Sequence, residues 1–217
     1  ILAVLASLLV RDKKQPGTKE PVKTSFFSFL NYWKVSPPAY RKLLIGLLAF
    51  ALFNSSDIFL LLKAKQAGLD DTVIIGVYIF YNLVFALFAL PLGMLADKIG
   101  LKRVFLFGLA LFAVVYFSMS ISTSIYVIAG LFFLYGVYAA ATEGISKAWI
   151  SNITSPKDTA TAIGTYSGFQ SICAMLASSL AGLIWYQFGP SVTFLVTGVA
   201  ATCILGYFMT AVKYPAR

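Results

Sequence analysis

The chain has 217 residues, of which 59% are hydrophobic and only 12% charged. A soluble domain of that composition would expose large apolar patches and aggregate, so the chain reads as an integral membrane protein. A formal net charge of +9 would suit a nucleic-acid binder, but the cations sit in polar stretches between apolar runs, which is the pattern of membrane topology and argues against nucleic acid.

Residues 1–10 are apolar but shorter than the roughly 20 residues a span needs, so they read as the tail of a truncated transmembrane helix. Residues 11–42 carry eight Lys or Arg against Asp12 and Glu20. That excess predicts a cytoplasmic loop. Within it Phe26, Phe27, Phe29, Leu30, Tyr32 and Trp33 adjoin Lys34, a cluster suited to a short interfacial helix. Pro37 and Pro38 are expected to end it. Six spans follow, at residues 43–62, 72–95, 104–120, 125–149, 160–188 and 191–212, within a bundle over 43–213. Residues 214–217 are a cytoplasmic tail. The cations support this orientation: only Lys63 and Lys65 fall on the outer side, while Lys147 and Lys157 flank an inner loop. The fold class is therefore an all-α membrane protein with six transmembrane helices and a partial preceding one.

Between the second and third spans lies GMLADKIGLKR, residues 93–103. Its residues 97–103 read as a tight basic turn, with Lys98, Lys102 and Arg103 marking it cytoplasmic. Gly93 would allow close helix approach, Gly100 a backbone angle other residues resist, and Asp97 would accept hydrogen bonds at a neighbouring helix N-terminus. Gly93, Asp97, Lys98, Gly100, Lys102 and Arg103 match G-x-x-x-D-[RK]-x-G-x-[RK]-[RK], and the stretch resembles the signature turn of the major facilitator superfamily. Leu101 departs from that pattern where many members carry a cation. The resemblance implies a twelve-helix transporter made of two six-helix halves joined by a long cytoplasmic loop. On that reading the chain is the carboxyl-terminal half, and each half contains two inverted three-helix repeats. Three shorter stretches, residues 54–64, 142–148 and 164–168, look like parts of bacterial drug-efflux-type facilitators.

Asp57 lies 14 residues into the first span, roughly 21 Å deep at about 1.5 Å per residue. A carboxylate there costs about 2.5–3.5 kcal/mol on insertion scales. It is the candidate proton-coupling group, with structural pairing to Lys63 as the plainer reading. Asn54, Asn82, Tyr135 and Gln170 fall roughly 15–17 Å into their spans, near the midplane where transporter substrate sites lie. They are the substrate-cavity candidates, with ordinary interhelical hydrogen bonding as the alternative. Glu143 and Lys147, four apart on one helix face, fall nearer the cytoplasmic boundary, away from Asp57. The resemblance implies a role for that pair in latching the inner gate. Gly164, Gly168, Ser171, Ser178 and Gly182 form a small-residue face for helix packing.

Histidine is absent, which removes the commonest metal ligand and the usual base of a triad. Cys173 and Cys203 lie in apolar runs and read as buried thiols. No metal, cofactor or catalytic set is expected, so the chain is not read as an enzyme. The expected activity is secondary transport of a small molecule by alternating access, coupled to protons, with efflux by antiport implied by the local resemblance. An acid and aromatics at the midplane mildly favour amphipathic or cationic substrates. Partners are then the substrate, protons, the lipid bilayer and the amino-terminal half. The expected place is the bacterial inner membrane, with the carboxyl terminus cytoplasmic. The alternative is a six-helix protein that self-assembles as a channel or receptor.

Overall fold

The computed structural model describes residues 28–212; the truncated helix expected at residues 1–10, residues 11–27 of the expected loop and the tail lie outside them. The described residues are all helical apart from short connections. In the stretch expected to lie at the interface, the described helix is α1, Ser28–Val35. It stops as expected, and Ser36 Oγ donates to the Trp33 carbonyl at 3.0 Å. The prolines then start the next helix: Pro37 is the N-cap and Pro38 the first residue of α2, Pro38–Phe53. A proline loses nothing there, because first-turn N–H groups have no intrahelical partner.

The first span is broken. After α2 the chain leaves helical geometry at Asn54 and resumes as α3, Ile58–Gln66. The remaining helices are α4 Asp71–Ile99, α5 Leu101–Ile121, α6 Ile125–Ile153, α7 Thr159–Phe188 and α8 Pro190–Thr210. With α2 and α3 taken as one segment, six are long and apolar enough to cross a membrane. Each covers its expected span and extends it by up to five residues at an end, except α8, which stops two short.

α5 and α6 form the centre. α5 packs on α6 and α8, α4 packs on α6, and α2 packs on α7 and α8. Bilayer lipid is as apolar as the side chains, so association rests on close packing. Phe105 of α5 meets Trp149 of α6 and Phe208 of α8 at ring separations of 5.9 and 4.9 Å. Gly136 lets α4 lie against α6: a Cβ there would be 2.7 Å from the Tyr81 carbonyl oxygen. Polar ties fix the helix ends. Lys102 Nζ donates to the Val212 carbonyl at 2.6 Å and the Met209 carbonyl at 3.3 Å, supplying donors to carbonyls a helix end leaves open. At the opposite end Asp70 caps α4, accepting from the Thr72 N–H at 3.1 Å. That hydrogen bond, with a smaller contribution from Lys65, holds its carboxyl below the usual range. Lys65 pairs with Asp71 at 2.7 Å.

Two expectations are corrected. The connection between α4 and α5 is tighter than a turn over 97–103: Asp97 and Lys98 are helical, and Gly100 alone links the helices at φ 103°. The cysteines are not both buried; Cys203 is exposed and Cys173 half-buried. An apolar span has a side that faces away from the bundle, so apolar neighbours in sequence do not imply burial within the protein.

Candidate functional site

The break between α2 and α3 organises the polar residues. Asp57 precedes α3 but does not cap it with its side chain. Its carboxylate turns to the neighbouring helices. It accepts a hydrogen bond from the Tyr81 hydroxyl of α4 and another from the Tyr135 hydroxyl of α6, the latter at 2.5 Å. Two hydroxyl donors on one carboxylate satisfy an ionised acid away from bulk water, since hydrogen bonds to a charged acceptor are the strong ones. Ser56 N donates to Ser178 Oγ of α7 at 3.2 Å. Asn54 Nδ2 donates to the Tyr138 hydroxyl of α6 at 3.0 Å. The break is thus held by α4, α6 and α7 together.

The tyrosines form one aromatic group. Tyr135 and Tyr138 are one helical turn apart, with ring centroids at 5.1 Å, and Tyr81 meets Tyr135 at 5.5 Å. Tyr116 of α5, only 1% exposed, stacks on Phe112 at 4.1 Å. Its hydroxyl and the Asn54 Oδ1 are buried without a completed hydrogen bond.

Beside this group lies a cavity of about 250 Å³ between α2, α6 and α7, whose polar lining includes Asn54, Tyr138, Glu143, Ser146, Lys147 and Gln170. Of the expected cavity residues, the structure therefore brings Asn54 and Gln170 together. Tyr135 is not in the lining and serves Asp57. Asn82 is not in it either; its Nδ2 donates to the Tyr78 carbonyl of its own helix at 2.8 Å. Glu143 and Lys147, expected nearer a helix end and away from Asp57, are part of its wall. They do not close to ion-pair distance, and Asp57 makes no ion pair with Lys63. Lys63 instead lines a separate small cavity with Ser122 and Thr123.

The signature residues border a second cavity, of about 380 Å³, shared by Gly93 and Asp97 with Gly144 and Ala148 of α6. Gly93 does not mark a close approach among the described residues, since a Cβ there would meet nothing within 4 Å. Its missing side chain leaves a groove. Asp97 is exposed and caps no helix among the described residues. Lys98 and Arg103 are exposed as well, while Lys102 is committed to the end of α8.

The Major Facilitator Superfamily profile matches residues 58–217. The chain belongs to this superfamily. This facilitator chain is 33% identical over 206 residues to an uncharacterized MFS-type transporter of Methanocaldococcus jannaschii, which covers 92% of this chain and 50% of the relative. It spans about half the length of the curated relative it matches. Membership of a superfamily of transporters agrees with the reading that the chain is not an enzyme. The profile match begins one residue after Asp57, so the break itself lies just outside it. Tyr81, Tyr138 and Ser178 were not read from the sequence as parts of this site. The tyrosine pairs Tyr78–Tyr81 and Tyr135–Tyr138, each three apart on a helix, were the available signal.

Proposed function

We propose that this facilitator chain is the carboxyl-terminal six-helix half of a twelve-helix transporter that moves a small molecule by alternating access, driven by proton exchange at Asp57. The observation that carries the coupling is the carboxylate held at a helix break by Tyr81 and Tyr135. Transporter sites are built where spanning helices are discontinuous, near the midplane. Intramembrane acids are costly and mark proton or ion pathways. A carboxylate that accepts from two hydroxyls must change that pattern when it takes a proton, because one of its oxygens becomes a donor. Asn54, three residues before Asp57, lines the cavity and bonds Tyr138. The rearrangement therefore reaches the cavity wall through one short segment.

Two features support a second half as partner. The relative is about twice as long. In addition, only 11% of the most apolar window of α4 and of α7 is buried, against 56% for α5 and 61% for α6. Those two helices present faces that the described residues do not cover. The basic loops between the spans support a cytoplasmic carboxyl terminus. The local drug-efflux likeness favours efflux by proton antiport across a cell membrane; the bacterial assignment rests on that likeness alone, since the matched relative is archaeal.

The test uses the complete gene product in proteoliposomes with an imposed pH gradient and a panel of amphipathic and cationic solutes. Asp57→Asn keeps size and polarity but cannot release a proton. It is expected to abolish accumulation against a gradient while leaving solute exchange. Wild-type-like accumulation by that variant removes Asp57 from the coupling step.

A further inference from the structure

We infer that the cavity between α2, α6 and α7 recognises a small zwitterion, with Lys147 holding its acid group and Glu143 its ammonium. This rests on the transporter reading and names the substrate class of the same site. Glu143 and Lys147 are four residues apart on α6 and both line the cavity. Neighbours at that spacing have Cβ atoms about 5–6 Å apart and pair readily when oppositely charged. This pair does not, although Lys65 and Asp71 close to 2.7 Å elsewhere. Both side chains are exposed, so each presents its charge to the same space.

The two charges select by exclusion. A cation is repelled by Lys147 and an anion by Glu143, while an uncharged solute leaves both ions without compensation for lost water. A zwitterion satisfies both, and the i, i+4 spacing suits a molecule whose charges are a few bonds apart. The uncharged lining fits the same ligand. Asn54 borders the cavity beside Tyr138 and adds to its polar wall. Ser146 Oγ donates to the Thr142 carbonyl at 2.7 Å and lies beside the Tyr166 hydroxyl in the same wall. Gln170 offers a donor and an acceptor. Leu47 and Phe50 supply an apolar wall for a short aliphatic group. A volume of about 250 Å³ falls below the roughly 300–1,000 Å³ of pockets for drug-sized ligands, so the ligand is small.

The experiment measures binding to the complete gene product in lipid nanodiscs at neutral pH. The probes are alanine, β-alanine and leucine, their methyl esters, which are cations, and their N-acetyl derivatives, which are anions. At least one zwitterion is expected to bind at least tenfold more tightly than its own ester and N-acetyl form. Lys147→Gln should erase the preference over the ester, and Glu143→Gln the preference over the N-acetyl form. Lys147→Arg and Glu143→Asp, which keep the charges, should retain both preferences and show that the fold tolerates change there. The inference fails if no zwitterion in the panel binds, if wild type binds an ester or N-acetyl form equally well, or if the glutamine variants keep both preferences, as a gate latch with no ligand role requires. The two readings separate in proteoliposomes. Asp57-dependent accumulation of ethidium with indifference to zwitterions keeps the transporter and removes this substrate class. Selective zwitterion binding without Asp57-dependent movement of any solute does the reverse.

Discussion

Asp57 is reached by tyrosines from two different helices, and magnitudes decide what that is worth. An ordinary interhelical hydrogen bond in a membrane contributes about 0.6 kcal/mol, whereas one to a charged group contributes about 1.5–3 kcal/mol. Tyr81→Phe and Tyr135→Phe each delete one such bond and little volume. Each is expected to destabilise the protein by about 1.5–3 kcal/mol, read as a lowered unfolding midpoint in detergent. Both effects should shrink markedly in an Asp57→Ala background, where the shared acceptor is gone. Equal effects in both backgrounds would show that the hydroxyls act elsewhere. Asp57 was legible in the sequence because a carboxylate inside an apolar run is expensive. Its partners were not, because tyrosine is at home in any apolar helix and carries no such signal.

The decisive element is the interrupted first span. Residues 43–62 read as a continuous helix, since Asn54, Ser55 and Ser56 are only modestly poor helix formers and no proline or glycine marks the break. The break persists because other helices satisfy what it exposes, Ser178 taking the Ser56 N–H and Tyr138 the Asn54 amide. Close seating of α4 on α6 at Gly136 places Tyr81 within reach. Gly136→Val would drive a side chain into the Tyr81 backbone oxygen, 2.7 Å from the Cβ position. Overpacking of that kind costs about 1–3 kcal/mol. The double variant with Tyr81→Phe should be less destabilised than the sum, because both lose the same contact. At the start of α4, the Asp70 cap has a depressed carboxyl pKa. Its contribution is therefore complete above the carboxyl's unfolded value and is lost as pH falls through the lower folded one. Hydrogen-exchange protection factors at residues 71–74, which remove the intrinsic pH dependence, should fall on acidification in wild type and already be low at neutral pH in Asp70→Ala. A wild-type profile in that variant would show that the cap is dispensable.

At the scale of the whole molecule, α4 and α7 carry uncovered faces, and the groove beside Gly93 opens between α4 and α6. Asp97 sits at that groove as an exposed acid. In the complete gene product, Asp97→Ala is expected to insert and express normally but to transport at least several-fold more slowly. Unchanged uptake per inserted molecule would leave Asp97 with no part in gating. Gly100→Ala tests the other half of the motif, since its φ of 103° disfavours any Cβ even though nothing crowds that position. Strain of roughly 1–3 kcal/mol should appear there as lost stability.

Six spans and their order were legible in the amino-acid sequence alone, because a bilayer imposes one length on every crossing. The signature at residues 93–103 carried the family for a local reason: its spacing is a property of one short turn. Burial was not legible in the same way, as Cys203 and the uncovered α4 and α7 show, because lipid accepts the same side chains as a protein core. Which polar residues act together depended on helix rotation and crossing, which hydropathy does not encode. Asn54, Tyr135, Asn82 and Gln170 were placed at one depth, yet Asn54 and Gln170 line the cavity, Tyr135 holds Asp57 and Asn82 bonds its own helix. Depth follows from counting residues along one helix; facing depends on contacts between helices far apart in the chain, and only the tertiary structure supplies those.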